Sequence, residues 1–505
     1  MELFNSIMSW VMKKRIHQME LFMKYPHDVQ ADIFEHLLNT GKHAEFGRQY
    51  DFASIKTREQ FANTVPIGAY EDHFPYIERV MKGEQNVLWP GKTTWFAKSS
   101  GTTNAKSKFI PVTPEAMEEC HFKGGKDLIA MYLNNRPDSR MFVGKGLSVG
   151  GSHQINPLDP SANSHYGDVS AVIMENMPIW AKYVSTPSAE VALLDNWEEK
   201  LELMAQEVIN ENVSSIAGVP TWTVLVLQRA MELRGVSDVS EIWPDLEVFF
   251  HGAVAFGPYR QLFSELISSD KMQYMETYNA SEGFFGIQDT SNKDELLLML
   301  DYGVYYEFIP MSEIDKEQPK TIALDEVEIG KNYALVITTN SGLWRYLIGD
   351  TIRFTSLDPY RIKISGRTKH FINAFGEELI VENAEQAVTE TCTATGAIID
   401  NFTAGPIYLE TSQKGGHEWI IEFAQPPADL DLFRDLLDEH LKKTNSDYEA
   451  KRQNDLALVA PKIHSVPQGT FYNWLKSKDK LGGQHKVPRL SNDRTYLEDI
   501  LALQS

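Results

Sequence analysis

Apolar residues in the first two dozen positions recur at helical spacing: Leu3, Phe4, Ile7, Met8, Trp10, Val11 and Met12, then Ile16, Met19, Leu21 and Phe22. The spacing predicts a helix docked on the body of the protein, with a membrane-surface helix as the alternative. Mainly helical spacing continues to about residue 90, punctuated by Pro66, Pro75 and Pro90. A strand-like run at 93–97 then leads into a loop of small, hydroxylated residues. From 114 to 260, helical stretches (192–210, 223–234) alternate with short β runs (214–217, 246–250), the pattern of an α/β sheet core. Strand patterns at 295–306 and 332–339 add a β-rich layer. Beyond them come a strand at 362–364, a helix starting near Val381, a strand pair at 407–410 and 418–423, and a helix at 430–443. The expected fold class is α/β, with a large N-terminal domain (1–365) carrying the β-rich layer and a small C-terminal α+β domain (366–505).

The 505 residues are enough for two or three domains, and 42% hydrophobic with 23% charged residues is ordinary for a soluble globular chain. The formal net charge of −22 argues against non-specific binding to nucleic acid or anionic lipid. Lys13-Lys14-Arg15 interrupts the N-terminal apolar run, and no basic segment precedes it, so neither a signal peptide nor a membrane span is expected. Cys120 and Cys392, the two cysteines, form no disulfide framework and have no metal-ligand spacing. A cytoplasmic monomer is the expectation.

Three short segments carry candidate chemistry. Ser99-Ser100-Gly101-Thr102-Thr103, followed by Lys108, supplies small residues, hydroxyls and a positive charge, as a loop that cradles phosphates needs. It lacks the spacing of a Walker loop. In Tyr278-Asn279-Ala280-Ser281-Glu282-Gly283 an aromatic ring is available for a purine, Ser281 for a hydrogen bond and Glu282 for a magnesium ion beside phosphates. Upstream, Gly252 and Ala253 follow the apolar run at 246–250, where a flat ligand fits at the carboxyl end of a strand. The third segment is Gly349-Asp350, with a carboxylate for a ribose diol, followed by the basic stretch Gly366-Arg367-Thr368-Lys369. Together they read as a site that holds ATP and uses it to activate a carboxylate.

A competing motif is Gly146-Leu147-Ser148-Val149-Gly150, which fits the nucleophile elbow of serine hydrolases. An elbow needs a helix directly after it, and Gly151-Ser152-His153-Gln154-Ile155-Asn156-Pro157 is no helix start. A glycine-rich wall of an acyl pocket is the preferred reading. His121, His153, His165 and His251 show no metal spacing.

In order and spacing these segments resemble the adenylate-forming superfamily, and within it the auxin-responsive (Gretchen Hagen) acyl acid–amido synthetase family, in its bacterial type. Ser99 to Thr103 with Lys108 and Pro111 is similar to the family's phosphate loop, and Tyr278 to Gly283 to its Tyr-x-x-Ser-Glu motif. Gly342-Leu343-Trp344-Arg345-Tyr346 through Gly349-Asp350 is similar to its Gly-Asp signature. Gly366-Arg367-Thr368-Lys369 with Asn373, Gly376 and Glu377 resembles the superfamily hinge. Gly482-Gly483-Gln484-His485-Lys486-Val487-Pro488-Arg489 resembles the segment bearing the adenylation lysine. Leu347, Trp344 and Asn104-Ala105 depart from the plant pattern, and the plant hormone substrates do not carry over.

The resemblance implies an ATP- and Mg2+-dependent ligase that adenylates a carboxylic acid and passes the acyl group to an amine, an amino acid, releasing AMP and pyrophosphate. Lys486 and Glu282 are the implied catalytic residues, with Glu282 on the metal. The implied nucleotide contacts are Ser99, Ser100, Gly101, Thr102, Thr103 and Lys108; Gly252, Ala253 and Tyr278 to Ser281; and Asp350 and Arg367. Arg367, Thr368 and Lys369 form the implied hinge of a mobile C-terminal domain. The alternatives are a thioester-forming ligase using CoA or a carrier protein, a nucleotide-binding protein without catalysis and, last, the serine hydrolase.

Overall fold

The computed structural model describes residues 2–99, 108–150, 153–155, 162–194, 197–253, 256–290, 293–314, 316–368, 371–372, 379–407, 415–445, 448–449, 452, 458–478, 487–491 and 494–503. Helices begin and end where local chemistry favours it. Thr57 opens Arg58–Thr64 with a capping box, accepting the Gln60 N–H while Gln60 reaches back. Asp429 accepts the N–H groups of Asp431 and Leu432 at the start of Leu430–Thr444. Gly235, at φ +67°, closes Pro220–Arg234 in the left-handed conformation that glycine adopts without strain.

The apolar N-terminal pattern forms two helices, Glu2–Lys13 and Ile16–Lys24, rather than one. The break falls at Lys14–Arg15 because Arg15 turns inward, donating to the fully buried Asp127 from Nε (2.6 Å) and Nη2 (2.8 Å). Met12, Met19 and Phe22 enter the core, whereas Trp10 stays 63% exposed.

Strands β1 (Trp95–Ser99) and β2 (Lys108–Val112) form an antiparallel pair. They share a four-stranded sheet with β4 (His153–Ile155) and β5 (His165–Gly167); β3 (Lys145–Val149) belongs elsewhere. It pairs in parallel with β6 (Ser185–Thr186) and β7 (Val213–Gly218), and the parallel run continues through β8 (Val248–Gly252) to β9 (Gln273–Ala280). Beyond β9 the same sheet turns antiparallel. It runs through β10 (Gly283–Ile287), β11 (Leu296–Leu298), β12 (Val304–Pro310), β13 (Asn332–Thr339), β14 (Tyr346–Leu357) and β15 (Tyr360–Arg367). The order across its eleven strands is β12-β13-β14-β15-β11-β10-β9-β8-β7-β3-β6. Expected runs at 214–217, 246–250 and 332–339 thus fall on β7, β8 and β13. The run at 362–364 is the middle of β15 and pairs within this large sheet.

After the short pair β16 (Phe371–Ile372) and β17 (Leu379–Ile380) comes helix Val381–Thr395. It packs with helix Leu430–Thr444 on a three-stranded sheet of β18 (Ile398–Ile407), β19 (Gly416–Gln425) and β20 (Lys462–Val466). Of the strand expected at 407–410, Ile407 falls on β18, which runs back to Ile398, and residues 408–410 lie outside the described residues. Pro406 lies within β18, an edge strand, where proline is tolerated.

Two carboxylates meet in this smaller sheet. Glu422 on β19 accepts the N–H groups of Gly469 (2.7 Å) and Phe471 (2.9 Å) at the start of helix Thr470–Ser477. Burial, and then the neighbouring Glu422, push the Asp400 carboxyl up to about 6. A pKa raised on folding stabilises the fold below the unfolded value of roughly 4, and the contribution fades as pH rises through about 6. Asp400→Asn should therefore melt above the wild type near pH 7.5, with the difference gone near pH 4. A calorimetric offset that is the same at both pH values would remove Asp400 from the account.

Candidate active site

The carboxyl ends of the parallel strands carry small residues where backbones approach closely. Gly252 ends β8, and a Cβ there would stand 2.6 Å from the Thr277 carbonyl oxygen. Ala253 follows with φ +73°, a conformation an alanine holds only under surrounding constraint. On the next strand Tyr278 is buried with its ring edge toward Phe285, and its hydroxyl donates to Asp350 Oδ2 at 2.5 Å. That bond joins β9 to β14 across 72 positions of sequence. Asp350 lies inside β14 opposite Arg367 of β15, rather than on a solvated turn. Gly349 before it, at φ +90°, offers its carbonyl to the Thr368 N–H at 2.8 Å.

Glu282 is buried in the turn between β9 and β10, and its Oε1 accepts a 3.3 Å hydrogen bond from the Tyr346 hydroxyl. Two polar atoms on the same stretch, Ser281 Oγ and Asn279 Oδ1, are buried with no hydrogen-bond partner among the described residues. Such atoms are unfavourable unless something in the working protein pairs with them. The Nδ1 of His251 likewise has no partner among the described residues, and burial holds this imidazole down at about 3, so it is neutral.

Ser99 and Lys108 face each other as a register pair of β1 and β2. Lys108 Nζ lies 5.6 Å from the Tyr70 ring centroid, and the Tyr70 hydroxyl accepts the Phe109 N–H at 2.9 Å. Ser100, Gly101, Thr102, Thr103, Lys369 and Lys486 lie outside the described residues. The structure thus brings together Tyr278, Asp350 and the backbone of Arg367, and joins Glu282 to the same strand through Tyr346. Tyr346 stands in the Gly-Asp signature without a role that the motif itself reveals. Its place four residues before Asp350 was the available signal.

Behind the Glu282 turn stands a π-helix, Met117–Phe122. Its Cys120 Sγ accepts the Phe284 N–H at 3.1 Å, and burial pushes this thiol up to about 12. Ser148 lies within β3 opposite Ala217 of β7, not on a strand-to-helix turn, so the nucleophile-elbow alternative falls. Among the described residues, no group of three or more His, Cys, Asp or Glu side chains could hold a metal ion. Magnesium needs no such cage, because it is often held by one or two carboxylates together with substrate phosphates. Glu282 fits that use. No helix among the described residues is long and apolar enough to cross a membrane.

The architecture is that of adenylate-forming ligases. It matches GH3.15 acyl acid amido synthetase with a TM-score of 0.78 at 17% identity, over 97% of this chain and 96% of that one. It also matches 2-hydroxyisobutyryl-CoA ligase in the postadenylation state with a TM-score of 0.60 at 12% identity, over 94% and 90%. The GH3 family N-terminal domain matches residues 15–272, the central domain 297–367 and the C-terminal domain 382–495, so the chain belongs to the GH3 family. Indole-3-acetic acid-amido synthetase GH3.3 of Arabidopsis thaliana is 24% identical, over 91% of this chain and 89% of its own length. The chain is an acyl acid–amido synthetase, a ligase that adenylates a carboxylic acid and transfers the acyl group to an amine.

Proposed function

We propose that the enzyme draws its AMP from ATP, with the base and ribose held between the end of β8 and the Tyr278–Asp350 link, and that the acyl acceptor is an amino acid. The observation carrying this reading is that link, with the unpartnered Ser281 and Asn279 atoms beside it. Gly252 and Ala253, the small residues at the end of β8, would border the purine, with Tyr278 on the neighbouring strand β9. Asp350 Oδ2 is already engaged by Tyr278, which fixes the carboxylate for the ribose hydroxyls, and Arg367 stands opposite on β15. Ser99 to Thr103 and Lys108 take the polyphosphate.

Magnesium, held by Glu282 and the phosphates, would offset phosphate charge. The substrate carboxylate attacks the α-phosphorus, pyrophosphate leaves, and Lys486 stabilises the charge that builds on the α-phosphoryl oxygens. The C-terminal domain, 366–505, then turns about Arg367, Thr368 and Lys369 to withdraw the lysine and admit the amine. The enzyme works in the cytoplasm as a monomer.

The nucleotide assignment has a direct test. Asp350→Asn keeps the shape but removes the charge and turns one acceptor into a donor. Charge-assisted hydrogen bonds contribute about 1.5–3 kcal/mol each, so ATP affinity should fall by at least about tenfold. The wild type should bind 2′-deoxy-ATP less well than ATP, and the variant should barely distinguish them. A variant that keeps the full preference for ribose would show that Asp350 does not touch the sugar. Supplying mixed amino acids and CoA together, with mass spectrometry of the products, identifies the acceptor.

A further inference from the structure

A cavity of about 560 Å3 opens beside the two N-terminal helices, and none of the residues assigned to the nucleotide lines it. Its volume lies within the range of small-molecule sites. Charge of both signs lines it, and part of that charge is unspent. Lys126 and Glu118 form no hydrogen bond or ion pair among the described residues. Asp301 pairs through Oδ2 with Lys123 at 3.0 Å, but its Oδ1 is buried with no hydrogen-bond partner among the described residues. Burial pushes this carboxyl up even against the neighbouring Lys123. Arg15 at the rim spends Nε and Nη2 on Asp127. Leu21, Phe22 and Val29 supply an apolar wall.

A simple anion would meet Glu118 and Asp301 within a protein of net charge −22, and a simple cation would meet Lys126, Lys123 and Arg15. A zwitterion satisfies both sets, and its ammonium would give the buried Asp301 Oδ1 a partner. We propose that this cavity is a second, regulatory binding site for an α-amino acid with an apolar side chain. Its carboxylate rests on Lys126, its ammonium on Glu118 and Asp301, and its side chain on Leu21, Phe22 and Val29.

The cavity reaches the active site through one wall. Glu118 lies on the π-helix Met117–Phe122, and Lys126 on the helix that continues it, Lys123–Asn135. The same two helices present Cys120 to the Phe284 N–H and Gly124 to the Phe284 ring, where a Cβ would come within 2.6 Å. Phe284 follows Glu282 by two residues, so a ligand pressing on this wall acts on the magnesium-binding turn without touching nucleotide. That coupling rests on the role proposed for Glu282, whereas the binding itself does not.

The test is calorimetric titration of the full-length protein with L-leucine, in the absence of ATP and acyl acid. Leucinamide, which lacks the carboxylate, and 4-methylpentanoate, which lacks the ammonium, are the controls. Glu118→Lys and Lys126→Glu change exposed side chains outside the catalytic machinery, and both should retain amide synthesis. The wild type should bind L-leucine, with either control or either variant at least about tenfold weaker. L-Leucine should also change wild-type pyrophosphate exchange while leaving both variants unmoved. Absent wild-type binding, equal binding by a control, or unweakened binding by both variants overturns the site. Binding without any change in exchange overturns its regulatory role. Leucine binding lost in the variants, in a protein that makes no amide, would instead leave this site standing and remove the proposed function.

Discussion

Arg345→Ala is expected to destabilise the protein by about 3–5 kcal/mol, the usual cost of leaving one partner of a buried ion pair alone. The Arg345 and Glu307 side chains are 4% and 7% exposed. They meet in a two-bond fork, from Nε at 2.9 Å and from Nη2 at 2.8 Å. Arg345 Nη1 also donates to the carbonyls of Ala62 (2.8 Å) and Val65 (2.7 Å), and Nη2 donates to Thr321 Oγ1 (2.9 Å). One guanidinium thus joins the end of helix Arg58–Thr64 to Glu307 on β12, from a position just before β14. Its backbone adopts φ +44°, uncommon for a residue with a Cβ and sustained by that set of bonds.

In Arg345→Ala the Glu307 carboxylate would remain buried with Thr321, at 2.7 Å, as its remaining hydrogen-bond partner among the described residues. Replacing both partners, Arg345→Met with Glu307→Met, should cost much less, because no unpaired charge is left behind. Urea unfolding followed by tryptophan fluorescence separates the two outcomes. A single substitution costing under about 1 kcal/mol, the scale of an exposed pair, would mean that the fork does not hold these elements together.

Arg345 also marks the limit of what could be read in advance. The chain from Gly342 to Asp350 was legible as a signature, but the sequence points only to Asp350 as a ligand-binding group. That Arg345 serves the fold and Tyr346 serves Glu282 depends on partners 38 and 64 positions away. Periodicity located β7, β8 and β13 of the large sheet because their side chains pack on buried faces, and β13 matches residue for residue. It missed the break at Arg15, whose cause is Asp127, 112 positions downstream. It gave no sign of β18 before Ile407, a strand that runs from Ile398 on the edge of its sheet. Motifs report local backbone and chemistry, whereas the bonds that bring them into one site are long-range and leave no local trace.

Lys486→Ala should lower adenylation by about 10²–10³-fold, the loss expected when one preorganised transition-state donor is removed. Lys486 itself lies outside the described residues, but the residues after it are tied down. The Pro488 carbonyl accepts the Thr403 hydroxyl at 2.6 Å. Arg489 donates to the Phe402 carbonyl at 3.1 Å, and its guanidinium lies 4.6 Å over the Phe402 ring. From there Arg489 Nη2 reaches the Tyr259 hydroxyl at 3.3 Å. Tyr259 ends the short turn Gly257–Tyr259 that follows β8, the strand carrying Gly252.

The segment that follows the lysine is therefore anchored beside the proposed purine site, and three residues of chain reach at most about 11 Å. In the proposed mechanism such a lysine would act on the charge that develops at the α-phosphoryl group, while the ground-state phosphate contacts would remain with Ser99 to Thr103 and Lys108. Its loss should accordingly fall on the rate and spare ATP affinity, the signature of an interaction made in the transition state. ATP–pyrophosphate exchange measures the first quantity, and equilibrium binding of ATP the second. Wild-type exchange in the variant would remove Lys486 from the chemistry, and a matching loss of ATP affinity would make it a binding residue instead.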